Sequence, residues 1–158
     1  MIVRTYLEID DRADLRPGGP PRLDGVEVMR AAPPDGELSR WFYVTVGKPH
    51  NWTDNLGRSA ADWQAWADRV ETWVATVQGQ RAGYYELRSD GADVEVAYFG
   101  LLAAFQGAGL GGFLLTHALR RGFELAPRVW LHTNTQDGEA ALANYKARGL
   151  RPFRTETL

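Results

Sequence analysis

The chain contains no cysteine, which excludes disulfides, thiolate nucleophiles and cysteine-based metal sites. Its three histidines, His50, His117 and His132, lie far apart in the sequence, so a zinc site is not expected. No apolar run approaches the roughly 20 residues that cross a bilayer, and the first residues lack the apolar segment of a signal peptide. We therefore expect a cytoplasmic protein with no metal and no membrane partner.

An excess of positive charge is also missing. The 18 Lys and Arg residues are balanced by 20 Asp and Glu residues, for a formal net charge of −2. Duplex nucleic acid needs a basic surface, so nucleic acid is not expected as a partner. A length of 158 residues fits a single domain over 1–158, with an extra N-terminal strand and a Pro/Gly-rich linker in 1–22. The sequence leaves the oligomeric state open, and a homodimer is compatible with it.

Hydrophobic periodicity predicts an α+β fold. Helix and strand patterns compete over residues 37–46, and the preceding Pro-Pro-Asp-Gly turn favours a helix there. Ser59 and Asp62 resemble a capping box at the start of the next helix. Strands are predicted at 2–8, 26–30, 72–77, 81–87, 94–101, 128–133 and 151–157, and helices at 37–46, 60–69, 109–124 and 139–147. Strands in series followed by alternating strands and helices indicate a mixed sheet flanked by helices.

A glycine-rich turn, Phe105–Gly112, lies where a buried strand is followed by a helix. Glycines let the backbone approach a ligand closely, and a helix N-terminus carries partial positive charge. The turn therefore suits a phosphate or pyrophosphate group. A P-loop is excluded because Gly111-Gly112-Phe113 lacks the required lysine. A Rossmann pattern fits Gly107, Gly109 and Gly112, but the next strand lacks the acidic residue that pattern requires.

The third pattern, Gln-x-x-Gly-x-Gly, is formed by Gln106, Gly109 and Gly111. It resembles the acyl-CoA-binding motif of the GNAT superfamily of N-acetyltransferases, in which the motif follows the fourth strand and opens the third helix. The order of predicted elements over 26–157 is similar to that family. The resemblance implies a mostly antiparallel central sheet with splayed strands, and acetyl-CoA as the acyl donor without a metal.

The resemblance also implies which residues hold the cofactor. The pantetheine arm would pair with the strand before the motif, and the pyrophosphate would lie on the turn. The residues concerned are Phe99, Gly100, Leu101, Leu102, Gln106, Gly107, Ala108, Gly109, Leu110, Gly111 and Gly112. Ala103 stands where many members have proline. Gly138 stands where the family has a cofactor-binding asparagine, so Asn134 or Asp137 would have to replace it.

Glu95 is the one carboxylate within the apolar run 94–102. A carboxylate half-buried among Val94, Val96 and Tyr98 gains affinity for a proton through desolvation, which suits a general base. It precedes Gln106 by eleven residues, the spacing of the base glutamate in the histone acetyltransferase branch of the family. The alternative is that Glu95 points to solvent.

Two further residues are candidates for catalysis. Ala141, Tyr145 and Gly149 fit the family pattern Ala-x-x-x-Tyr-x-x-x-Gly-Phe, with Leu150 in place of Phe. The resemblance implies that Tyr145 reaches the thioester sulfur, where a phenol can protonate a leaving thiolate; the alternative is a core tyrosine with its hydroxyl at the rim. His132 is a second candidate base or substrate ligand, or else a packed structural histidine.

The acceptor pocket is implied to come from residues 37–70, which are rich in aromatic side chains. Trp63 and Trp66, at helical spacing, are expected in the core. Trp52 and Tyr43 are candidate pocket walls, since aromatic faces attract ammonium groups, and Asp54 and Glu95 could pair with the cation. The predicted function is transfer of an acetyl group to a primary amine of a small molecule or peptide. The alternatives are a non-catalytic acyl-CoA sensor or scaffold and, from the Rossmann-like spacing, a nucleotide-binding enzyme.

Overall fold

A computed structural model describes residues 1–158 and contains one seven-stranded sheet with four α-helices. The strands are β1 (Val3–Ile9), β2 (Val26–Arg30), β3 (Glu71–Val77), β4 (Gln80–Ser89), β5 (Asp93–Leu101), β6 (Arg128–Asn134) and β7 (Arg151–Thr157). The helices are α1 (Gly36–Gly47), α2 (Ala60–Arg69), α3 (Leu110–Leu125) and α4 (Glu139–Ala147). None of the helices is long and apolar enough to span a membrane. The predicted α+β class and mostly antiparallel sheet are confirmed.

The predicted helix over 37–46 is confirmed, and its start has a clear local cause. The Asp35 side chain accepts hydrogen bonds from the backbone N–H groups of Glu37 and Leu38. Such capping satisfies donors that have no partner inside the helix. The predicted capping box of α2 is also present, formed by Ser59 and Asp62. These local signals fix where both helices of the acceptor region begin.

The strand order is β2-β3-β4-β5-β6-β1-β7, and every neighbouring pair is antiparallel except β5 and β6. Helices α1 and α3 pack on opposite faces of the sheet, as two successive side chains of β4 show. Tyr84 packs with residues of α1, and Tyr85 packs with residues of α3. The larger core cluster lies on the α3 side, while smaller aromatic clusters lie beneath α1 and α2.

The parallel pair β5 and β6 is in contact over three residues only, from Asp93 to Glu95 on β5. Beyond that point the two strands diverge. The pairing of β5 with β4 shifts register between Tyr98 and Val96, so Ala97 is an extra residue on β5. A bulge of this kind bends its strand and increases the local twist. The bulge therefore lies where β5 leaves β6.

The N-terminal segment is integrated with the rest of the fold. Strand β1 lies between β6 and β7, and the Pro/Gly-rich segment after it runs across the start of α3. The backbone N–H of Gly18 donates to Thr116 Oγ1 at 2.8 Å, and that of Arg22 donates to the Ala108 carbonyl at 2.7 Å. This segment braces the glycine-rich turn.

Candidate active site

A groove of about 720 Å³ opens where β5 and β6 diverge. Its walls come from β5, β6, α4, the glycine-rich turn and the loop between α1 and α2. Phe99, Gly100 and Leu101 line it, as the sequence predicted for the strand before the turn. Leu102 instead packs against the cluster of Phe42, Val46 and Tyr84.

The glycine-rich turn forms one end of the groove. Gly107 and Gly109 both have a φ of +83°, the left-handed region that favours glycine. Helix α3 starts at Leu110 without a side-chain cap, so its first N–H groups keep their capacity to bind an anion. The Arg22 side chain donates to the Gly107 carbonyl at 2.8 Å. Together with the Arg22 backbone bond to Ala108, it occupies the carbonyls of the turn.

The predicted turn residues do not all face the groove. Gln106, Gly107 and Gly111 line it, whereas Ala108, Gly109, Leu110 and Gly112 do not. The Leu110 side chain is fully buried in a cluster with Val77 and Ala82. Its role toward a phosphate would therefore be carried by its backbone N–H.

Glu95 lies in the groove and is only 8% exposed, so it does not point to solvent. Its Oε1 accepts a hydrogen bond from Arg88 at 2.7 Å. Its Oε2 lies 4.0 Å from His132 Nε2. The ion pair with Arg88 keeps the Glu95 carboxylate oriented. The His132 imidazole is close enough that a charge on either side chain acts on the other.

His132 lines the same groove on β6. Burial lowers its pKa, and the nearby Arg4 guanidinium lowers it further, against the opposing effect of Glu95. The imidazole is therefore neutral at pH 7 and gains a proton only in acid. A neutral His132 leaves the negative charge of Glu95 available to a cation in the groove.

Tyr145, on α4, is 7% exposed and packs edge-on against Phe99 with ring centroids 6.1 Å apart. Burial, and secondarily the charge of Asp137, raise the pKa of its phenol well above the usual range. The hydroxyl consequently stays protonated at any physiological pH. A protonated phenol beside the predicted pantetheine strand is suited to donate to a leaving thiolate.

Asp137 connects the elements at the end of the groove where the acceptor is predicted to bind. The sequence analysis considered it only as a replacement for the family's asparagine. Its Oδ1 accepts from Trp52 Nε1 at 2.9 Å, and its Oδ2 accepts from Thr133 Oγ1 at 2.8 Å. These bonds tie the loop between α1 and α2 to the end of β6. Asn134, predicted to contact the cofactor, lines the groove, but its side chain caps the Gln136 N–H at 2.8 Å.

The other predicted acceptor residues also reach the groove. Trp52, Tyr43 and Asp54 line it; Tyr43 is buried, and Asp54 is exposed. The Tyr43 hydroxyl accepts a hydrogen bond from the Asn55 N–H at 3.1 Å. Trp63 and Trp66 are buried, as expected for core residues, with exposures of 1% and 6%.

Arg58, Arg88 and Asn144 are among the groove residues that sequence reasoning missed. Asn144 lies one residue before Tyr145, and its Nδ2 would be 3.5 Å from a Cβ placed on Gly111. It therefore approaches the glycine-rich turn from α4, whereas the family's asparagine was expected six residues earlier, at position 138. Its adjacency to Tyr145 on a predicted helix was the only available signal.

Comparison with known proteins supports the family resemblance that the sequence indicated. The family model described as "Acetyltransferase (GNAT) family" matches residues 37–150. No curated protein matches the chain by sequence. The fold is similar to a GCN5-related N-acetyltransferase from Kribbella flavida (TM-score 0.67, 21% identity, 98% of this chain and 57% of that one). It is also similar to an IAA acetyltransferase from Bacillus cereus (TM-score 0.60, 22% identity, 82% and 79%).

A functionally unknown conserved protein from Staphylococcus epidermidis has the same fold, with a TM-score of 0.63 and 17% identity over 98% of this chain and 60% of that one. The chain thus spans about three fifths of the length of some of these structures. At such identities the structural neighbours show the fold alone, whereas the family model covers most of the chain. The chain belongs to the GNAT acetyltransferase family, whose shared activity is acyl transfer.

Proposed function

We propose that the protein transfers an acetyl group from acetyl-CoA to a primary amine by direct attack within a ternary complex. One observation carries this proposal: the groove between the diverging strands β5 and β6 joins the glycine-rich turn at one end to Glu95 at the other. An extended donor could lie along β5 with its phosphates at the turn and its thioester near Glu95. The acceptor would enter past Trp52.

The donor end suits the pyrophosphate because free N–H groups converge there without a competing carboxylate side chain in the turn. Asn144 would add a polar contact from α4. Along β5, backbone groups released from pairing with β6 beyond Glu95 are available to the pantetheine amides.

The acceptor end supplies the proton chemistry. Glu95 accepts a proton from the acceptor ammonium, directly or through a water, and the freed amine forms a bond to the acyl carbon. As the carbon–sulfur bond breaks, the former amine nitrogen loses its second proton, which passes to the departing thiolate directly or through the Tyr145 hydroxyl. Backbone N–H groups of β5 stabilise the charge that develops on the acyl oxygen.

A non-catalytic acyl-CoA sensor is the second candidate, and the Glu95–Arg88 ion pair favours it. A carboxylate oxygen held at 2.7 Å by a guanidinium is already occupied by that donor, so it is less free to take up an acceptor ammonium. Such a protein would bind acetyl-CoA in the same groove and release no CoA in the presence of amines.

The proposal is tested by two measurements on the intact chain. Thermal unfolding is followed with acetyl-CoA and with NAD, because a ligand that binds only the native state raises the melting temperature. Release of free CoA is then followed against a panel of primary amines. Protection by acetyl-CoA with CoA release supports the enzyme, protection without release supports the sensor, and protection by NAD alone contradicts both.

Gly109→Ala is expected to weaken acetyl-CoA binding by about tenfold, because a non-glycine residue at φ +83° costs about 1–2 kcal/mol and the turn would shift its N–H groups to relieve that strain. The Kd is measured by calorimetry. Gly19→Ala is the matched control, since a Cβ there meets nothing within 4 Å. Equal affinities for the Gly109 variant and the wild type would place the phosphates elsewhere.

Activity is expected to fall in acid as His132 gains a proton. Its pKa lies below its ordinary value, so the imidazole becomes charged only as the pH falls through that lowered value. Its positive charge would then compete with the acceptor ammonium for Glu95, whose Oε2 is 4.0 Å away. In His132→Gln, the acid limb of kcat/KM should flatten, while the rate at pH 8 changes less than about tenfold. A complete loss at every pH would instead make His132 the base.

A further inference from the structure

The strongest unexplained feature of the groove is Arg58, which lies just before the N-cap of α2. Its guanidinium stacks over the rings of Trp63 and Trp66, at 4.8 Å and 5.1 Å from their centroids. Aromatic faces near the acceptor end therefore hold a cation that belongs to the protein. The acceptor's ammonium cannot occupy those same positions.

Arg58 also differs from the other arginines of the groove in having no carboxylate partner. Arg88 pairs with Glu95 at 2.7 Å, and Arg4 pairs with Glu156 at 3.1 Å. No carboxylate oxygen lies within 4.0 Å of Arg58, and its Nη1 is buried without a hydrogen-bond partner. No carboxylate of the protein therefore forms an ion pair with this guanidinium at the wall of the groove, where an anionic group of a bound ligand can pair with it.

The buried carboxylate of Glu86 balances the positive charge of Arg58 only in part. Burial is the largest effect on the buried Glu86 carboxyl and raises its pKa, while the charge of Arg58 lowers it by less than each of the hydrogen bonds from Ser39, Thr72 and Trp66. The Glu86 oxygens are already occupied by donors from α1, α2 and β3. Glu86 thus provides a favourable field at Arg58 but forms no ion pair with it.

We infer that the acceptor is a primary amine that also carries a carboxylate, and that Arg58 binds this carboxylate. The inference rests on the proposed function. Arg88, which holds Glu95, lies 5.9 Å from the same Trp66 ring that Arg58 contacts. Arg58 and the arginine that holds Glu95 are therefore grouped around one indole at the same end of the groove. An acceptor that carries both an amine and a carboxylate, such as one of the amino-acid class, would contact both. A guanidinium can hold a carboxylate through two parallel hydrogen bonds.

The test compares matched acceptors: amino acids with the amine and carboxylate at varied separations, their amides, and the corresponding amines without the carboxylate. For the preferred acceptor, the wild type should show kcat/KM about 10–100-fold above that of its amide, the range expected for one charge-assisted interaction. In Arg58→Gln this preference should fall to within about threefold, mainly through the acceptor KM, with the KM for acetyl-CoA unchanged. Arg58→Lys should restore part of the preference.

Controls separate the inference from stability and from the proposed function. Arg40→Gln removes an exposed charge on α1 and should leave the preference intact. If amines with and without a carboxylate react equally in the wild type, the inference is wrong while acetyl transfer stands. If no amine reacts, calorimetry of the CoA-loaded protein with the same panel still decides: carboxylate-dependent binding lost in Arg58→Gln supports the inference, and its absence in the wild type overturns it.

Discussion

Glu95→Gln is expected to lower kcat by about 10²–10⁴-fold, the usual contribution of a positioned general base. The amide keeps the shape of the side chain but cannot take a proton from the acceptor ammonium. Because Glu95 lies where β5 leaves β6, away from the glycine-rich turn, the Kd for acetyl-CoA should stay within about twofold. Steady-state rates are measured by CoA release with the best amine of the panel, and the Kd by calorimetry.

Asp93→Asn is the matched control for this substitution. Asp93 lies two residues earlier on β5 and pairs with Arg128 at 3.4 Å, outside the groove. Its substitution also removes a carboxylate partner from an arginine, although Arg128, on β6, keeps Glu8 at 3.0 Å. The rate should change less than about twofold. If Glu95→Gln and Tyr145→Phe both react at the wild-type rate, the catalytic roles given to these two side chains are wrong, although acetyl-CoA binding would survive.

Much of the fold could be predicted because its signals are local. The helix over 60–69 follows from the spacing of its tryptophans and from the Ser59 cap. The turn at Gln106–Gly111 follows from glycines that the observed left-handed backbone requires. These features depend on residues close in sequence, so periodicity and turn chemistry are sufficient to find them.

The position of β1 could not be predicted in the same way. Residues 3–9 form a strand wherever they pair, and nothing in their pattern places them between β6 and β7. That position depends on contacts more than a hundred residues apart, such as Tyr6 opposite His132. The resemblance covered 26–157 and left this strand as an addition.

The acceptor end of the site was only partly predictable for a related reason. Trp52 was identified as a pocket wall from its place in a polar loop, but its partner Asp137 is far away in sequence. Arg58 stands in the same loop as an ordinary polar residue, and its lack of a partner is a property of the folded chain alone. Side chains whose role depends on what surrounds them cannot be assigned from spacing.

Glu86→Ala is expected to reduce the free energy of unfolding by about 3–5 kcal/mol. Glu86 is 1% exposed and accepts hydrogen bonds from Ser39 Oγ at 2.7 Å, Thr72 Oγ1 at 2.6 Å and Trp66 Nε1 at 2.8 Å. These donors come from α1, β3 and α2, so one carboxylate joins both helices of the acceptor region to the sheet. Truncation leaves three buried donors without an acceptor and opens a cavity.

Glu86→Gln separates the hydrogen bonds from the charge. The amide oxygen can still accept from Trp66, and the amide N–H groups can donate to the two hydroxyls, so the loss should be about 1 kcal/mol or less at neutral pH. Urea unfolding measures both variants, with Glu27→Ala as a control because Glu27 is exposed on β2 and should change stability by less than about 0.5 kcal/mol. A loss for Glu86→Ala as small as the control's would show that the three donors find other partners.

The difference in unfolding free energy between the wild type and Glu86→Gln should change with pH in a definite direction. Burial raises the pKa of Glu86 in the folded protein above its ordinary value of 4.5. Below pH 4.5 the Glu86 carboxyl is protonated in both the folded and the unfolded protein, and the stability that the protonated carboxyl contributes is fully present. As the pH rises toward the folded pKa, the unfolded chain releases its proton first, so the wild type loses stability relative to Glu86→Gln. The difference in unfolding free energy between wild type and Glu86→Gln should therefore move in favour of the glutamine variant between pH 4.5 and neutrality. A constant difference across that range would mean that the carboxylate is as well stabilised by its three donors as by water.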